Sequence, residues 1–210
     1  MGKNKKNNKK MIKSQTKESC LNLIKTLNNK KNNKNMEKCY YNILKISKLF
    51  PPAKNENKFI YGKLIELQLI KTFNNFLICN DLDKNHKYGS EYKNDCEING
   101  NKFSIKACKS TSNVIILNKH NKSDHKIDTN FIICNIEKKK LYIFPSLIIK
   151  KEYIINKESH IYFKSSLFKY LETNNNNYIY DFPELMKMSK KKIEDVKEVN
   201  IYQYLYKTFL

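Results

Sequence analysis

Residues 95–109 read DCEINGNKFSIKACK. The stretch predicts a strand, a tight turn and a second strand that returns beside the first. Asn99-Gly100 between two alternating apolar runs is the strongest short hairpin signal a sequence carries. Side chains two apart on a strand point to one face. Ser104 and Lys106 therefore share a face, and closing the hairpin brings Asp95 on the first strand beside them. An acid and a lysine meeting at a hairpin suit metal-dependent phosphodiester chemistry. With 41 Lys+Arg in 210 residues, none of them arginine, a lysine's identity alone says little.

Upstream, Cys20, Leu23, Ile24 and Leu27 repeat at i, i+3, i+4, i+7, and residues 36–49 (MEKCYYNILKISKL) nearly do the same. Both segments predict amphipathic helices. Pro51-Pro52 closes the second. Residues 59–74 (FIYGKLIELQLIKTFN) predict a buried helix with Ile60, Leu64, Leu67 and Ile70 on one face and Ile65, Leu69 and Phe73 beside them. Glu66 is its only acid, and a solvent-facing helix edge is as good a place for it as the interior, since buried carboxylates are rare unless paired. A strand over 75–80 follows, then the polar loop 81–90 and the hairpin strands 91–98 and 102–108.

Downstream, 114–117 is a short apolar run, and 118–127 is a polar loop whose His120 and His125 read as surface residues. A second hairpin spans 130–136 and 141–149, turned at 137–140, with Pro145 marking a strand end or an edge. Short strands over 153–155 and 161–163, a helix over 166–172 and a charged helix over 184–198 complete the reading. The fold class expected is α/β (α+β): a central mixed β-sheet flanked by helices. Four segments are expected: a disordered Lys/Asn-rich tail 1–16, a helical segment 17–50, a core 51–183 and a C-terminal helical segment 184–210.

The formal net charge is +21. Such a charge attracts polyanions without regard to sequence, so a nucleic-acid partner is expected. Six scattered cysteines form no CxxC pair and no zinc spacing. No apolar run approaches the roughly 20 residues that span a bilayer, and no signal peptide is read. An intracellular protein of cytoplasm or nucleus, away from membranes, is expected.

In order, Tyr61-Gly62-Lys63-Leu64-Ile65-Glu66, Asn94-Asp95-Cys96, Phe103-Ser104-Ile105-Lys106 and Leu141-Tyr142-Ile143-Phe144-Pro145 resemble the PD-(D/E)xK nuclease superfamily over residues 59–150. The resemblance implies a restriction-endonuclease-like core with extra N- and C-terminal helices, and a metal-dependent endonuclease of restriction-like, intron-encoded or junction-resolving type. Asp95, Lys106 and Glu66 would be catalytic, with Mg²⁺, or Mn²⁺ in its place, held by Asp95 and Glu66 or Glu97. Lys109, Ser110 and Lys119 would contact double-stranded or branched DNA, and a homodimer is compatible with this set. The chain departs from the pattern twice: Asn94 replaces a proline, and Ser104 replaces the acid of the acid-x-lysine pair. A serine supplies no anionic ligand, so Glu66 from the helix or Glu97 from Asp95's own strand face must make up the charge. The competing expectation is a non-catalytic nucleic-acid-binding protein on a degenerate nuclease scaffold.

Overall fold

The computed structural model describes residues 17–50, 57–82, 95–108, 114–118, 129–157 and 160–185. The tail 1–16, most of both polar loops, and the C-terminal segment expected over 184–210 beyond its first two residues lie outside the described residues. Helix α1 spans 17–27, α2 Asn33–Leu49, α3 Asn57–Phe73 and α4 Ser165–Asn174. The strands are β1 Cys79–Asp81, β2 Cys96–Ile98, β3 Asn101–Cys108, β4 Val114–Asn118, β5 Asn130–Asn135, β6 Lys140–Pro145, β7 Ile154–Asn156, β8 His160–Phe163 and β9 Ile179–Asp181.

Six strands form one sheet in the order β1-β2-β3-β5-β6-β9. Its pairs are antiparallel except β3 with β5, which run parallel in register from Phe103 beside Asn130 to Cys108 beside Asn135. A separate three-stranded antiparallel sheet has the order β4-β8-β7. The fold is mixed α/β, with a central, mostly antiparallel sheet flanked by helices.

The hairpin at 95–108 closes as its residues dictate. Asn99 and Gly100 both adopt positive φ, 47° and 78°, the requirement of the turn whose twist matches paired strands. Every residue of β5 is buried, as is every residue of β6 from Leu141 to Pro145. That is the pattern of strands covered on both faces. Pro145 does end β6, and the chain passes into a 3-10 turn at Ser146–Ile148. The short strand before the hairpin begins later than its apolar run suggests, because residues 74–76 extend the end of α3 as a turn.

Alternation along the strands sorts the two faces of the sheet. Tyr40 of α2 stacks on Phe182, beside Tyr180, and donates its hydroxyl to the Ile136 carbonyl at 3.2 Å. Helices α2 and α3 thus cover the face that carries Ile132, Cys134 and Leu141. The other face carries Phe131, Ile133, Tyr142 and Phe144. There Tyr142 meets Phe168 of α4 at 5.0 Å, and Phe163 of β8 packs on Phe131 and Phe144 at 5.0 and 5.7 Å. Cys20, Leu23, Ile24 and Leu27 of α1 join the same continuous core.

In α3, Leu64, Ile65, Leu69, Ile70 and Phe73 are buried as their spacing suggests, joined by Tyr61, while Leu67 is half-buried. Glu66, 7 % exposed, lies in the interior rather than at a solvent-facing edge.

Gly100→Val is expected to destabilise the fold by about 1–2 kcal/mol, the cost of a left-handed conformation for a residue with a Cβ. Asn99→Gly is expected to be near neutral. Denaturant unfolding of both variants checks the turn.

Candidate active site

Four charged side chains gather where the β2–β3 ladder ends and β3 runs on beside β5. The ladder pairs Cys96–Ile98 with Asn101–Phe103. Asp95 sits one residue before β2 rather than within it, and its N–H bonds the Phe103 carbonyl at 2.9 Å. The next donors along β3 then converge on one oxygen, Asp95 Oδ2. Ser104 Oγ donates at 3.0 Å, the Ile105 amide at 2.6 Å and Lys106 Nζ at 3.0 Å. The Asp95 carboxylate is thus held by a side-chain hydroxyl, a backbone N–H and an ion pair. The pair is partly shielded, with side-chain exposures of 27 % for Lys106 and 17 % for Asp95. Oδ1 takes no hydrogen bond from the described residues.

Glu66 enters from α3, which packs against β1 and β3. Lys63, one helical turn earlier, donates Nζ to Glu66 Oε1. Burial, and after it the Asp95 charge, push the Glu66 carboxyl up from 4.5 to about 7; Lys63 and Lys106 pull the other way. Desolvation and a neighbouring like charge both disfavour the ionised form. The helical spacing of Lys63 and Glu66 was the signal in the sequence that would have added Lys63 to the cluster.

Glu97 is placed differently. It lies inside the β2 ladder, opposite Asn80 and Lys102, and is half-buried. The charges acting most strongly on Glu66 are Asp95, Lys63 and Lys106, and Glu97 is not one of them. Among the described residues no three His, Cys, Asp or Glu side chains converge in the manner of a metal site. The structure brings Asp95, Lys106 and Glu66 together, and Glu97 does not complete a carboxylate triad with them. Lys109, Ser110 and Lys119 lie outside the described residues.

Two further parts of the sequence pattern have structural explanations of their own. A Cβ on Gly62 would meet no atom of the described residues within 4 Å, so close packing does not require the glycine. Leu141–Pro145 is a core strand; its Tyr142 hydroxyl donates to Glu172 Oε1 at 2.5 Å, and Lys138 Nζ holds both Glu172 oxygens at 2.7 and 2.9 Å.

The donor set is suited to a hard divalent cation. Asp95 and Glu66 supply carboxylate oxygens, and Mg²⁺ commonly takes one or two protein carboxylates, with water and substrate phosphate filling the rest. Ser104 does not serve as a ligand here: it is 4 % exposed and spends its proton on Asp95.

No protein-family model matches the chain, and no curated protein matches it either. Among the described residues no helix is long and apolar enough to cross a membrane.

The Glu66 shift has a consequence for stability. The folded state holds a proton on Glu66 that the unfolded chain releases near 4.5. This contribution is full below that value and is lost as pH rises through about 7, because the native state binds the extra proton. Glu66→Gln is expected to flatten the fall in Tm between about pH 5 and 8. It should also raise Tm at about pH 8 by about 3 °C or more in EDTA, since 1 kcal/mol moves Tm by roughly 2–4 °C at this size. Scanning fluorimetry across pH gives the test; an unchanged pH profile would contradict the burial argument.

Proposed function

We propose that the chain is a metal-dependent DNA endonuclease of the PD-(D/E)xK type, on a restriction-endonuclease-like core, and that Asp95, Glu66 and Lys106 form its catalytic centre. The observation that carries this reading is the convergence of Lys106 Nζ, Ser104 Oγ and the Ile105 amide on Asp95 Oδ2, with the buried Glu66 electrostatically coupled to the same carboxylate.

Asp95 and Glu66 would hold Mg²⁺, or Mn²⁺ in its place. When bound, the cation polarises the scissile phosphate and lowers the pKa of a coordinated water. The chain's own groups do the rest. The Ile105 amide and Ser104 hydroxyl hold Asp95 through Oδ2, and Oδ1 takes no hydrogen bond from the described residues. Lys106 carries a localised positive charge with three donor hydrogens beside that carboxylate, where it can orient a water and stabilise charge developing on a phosphoryl oxygen. Lys63 balances Glu66 so that the acid survives in the interior, since a lone buried carboxylate is costly. The surplus of lysine over acid supplies sequence-independent attraction to the DNA backbone.

A second reading is a non-catalytic DNA-binding protein on the same scaffold. The absence of a three-ligand cluster among the described residues favours it.

The readings separate on supercoiled plasmid with Mg²⁺. The nuclease reading expects nicking or linearisation by the wild type, abolished by EDTA. Asp95→Ala and Lys106→Ala are each expected to lower the rate by about 100-fold or more, the usual cost of losing a group that stabilises transition-state charge. Circular dichroism should show both variants folded. Cleavage that survives both substitutions would overturn the assignment; binding without cleavage of plasmid or branched substrates would favour the second reading.

A further inference from the structure

The small sheet β4-β8-β7 presents a surface that the catalytic reading leaves unused. Burial along β8 alternates: Ile161 and Phe163 are buried, His160 and Tyr162 half-buried. Phe163 packs inward on Phe131 and Phe144, so His160 and Tyr162 face outward. Their rings lie 5.8 Å apart at 44°. Lys157 Nζ sits over the Tyr162 ring at 5.9 Å from its centroid. Ile155 of β7, directly opposite Tyr162 in the register, is also half-buried. A half-buried aromatic side chain beside an imidazole and a lysine ammonium can hold a flat ring next to an anion.

The position matters as much as the composition. Phe131, against which Phe163 packs, is the β5 neighbour of Ser104 on β3 and shares its face. The outward face of the small sheet thus lies one layer out from the strand bearing Lys106, on the same side of the central sheet.

We propose that Tyr162, His160 and Lys157 form a platform for unpaired nucleotides, with bases stacking on the Tyr162 and His160 rings and the strand phosphate on Lys157. Aromatic rings stack on any base, and lysines track the backbone. Bases inside a duplex are already stacked on each other and cannot use the platform. The substrate this adds to the nuclease reading is DNA with a single-stranded arm or branch. The placement beside a cleavage site rests on that reading, whereas binding to the platform does not require catalysis.

The test is fluorescence anisotropy in EDTA, where no metal-dependent cleavage occurs, with a labelled single-stranded oligonucleotide and a duplex of the same sequence. Tyr162→Ala should weaken single-strand binding by about 5- to 100-fold, the range for one stacked base, with little change for the duplex. Tyr162→Phe, which keeps the ring, should bind like the wild type. Lys157→Ala should lower the salt slope by about one unit. A readout that needs no variant is 2-aminopurine placed in the single strand: stacking on wild-type protein should change its emission, and the same probe in duplex should not respond. No 2-aminopurine response at saturating protein would overturn the platform, as would equal losses for single strand and duplex in a folded Tyr162→Ala. Because both readouts are taken without metal, a failed platform and a failed nuclease site give different results: the first leaves plasmid cleavage intact, and the second leaves single-strand binding intact.

Discussion

The structure around the candidate site depends on one oxygen, Asp95 Oδ2, and on the three donors that meet there. One of them, the Ile105 amide, belongs to the backbone, so the anchor is built from the path of β3 and not from a replaceable side chain. Asp95 itself lies outside the ladder, where the pleat of β2 no longer dictates its direction. The carboxylate substitutes for the missing strand partner by accepting the donors of β3. Leaving buried donors unmatched costs about 1–3 kcal/mol each, so the tether stabilises the end of the ladder and aims Asp95 at once. Lys106 takes its position from the same oxygen, and Glu66 owes part of its raised pKa to the same charge.

The charges are balanced in pairs. Lys106 answers Asp95, and Lys63 answers Glu66. The balance is not symmetrical, because Asp95 is better placed for hydrogen bonding while Glu66 is the more deeply buried of the two. Burial and the Asp95 charge together oppose the ionised form of Glu66 more strongly than Lys63 and Lys106 favour it. A cation arriving between the two carboxylates would favour that ionised form and relieve the repulsion between them. On the proposed reading, a divalent cation would have more to offer this cluster than another lysine would. The +21 formal charge of the whole chain would, on the same reading, set only a general attraction to a polyanion, without locating any chemistry.

The sequence was most legible where the controlling physics is local. Asn99-Gly100 announces its turn because few other residue pairs accept two consecutive positive φ angles, and the apolar runs of β5 and β6 announce buried strands. The nearness of Asp95, Ser104 and Lys106 followed from that turn and the two-residue period. The role of Ser104 did not follow: as a residue type it looks like a missing ligand, and only the geometry shows a donor orienting Asp95. Glu97 was drawn to Asp95 by the same period, but the period carries no authority past the last ladder pair. Glu66 was ambiguous because a helix face of many Leu and Ile residues tolerates more than one rotation; packing of Ile65 and Leu69 against the core decided it. The parallel β3–β5 pair and the separate small sheet are long-range pairings that no local pattern announces.

The central claim is that Asp95 and Glu66 together hold a divalent cation beside Lys106. The most direct measurement is an anomalous difference map from crystals of the protein soaked in Mn²⁺. The account expects a peak between the two carboxylates, within roughly 2.0–2.6 Å of an oxygen from each, the range for hard cations on oxygen. A map with no peak there at saturating Mn²⁺, or with the ion held by other residues, would contradict it.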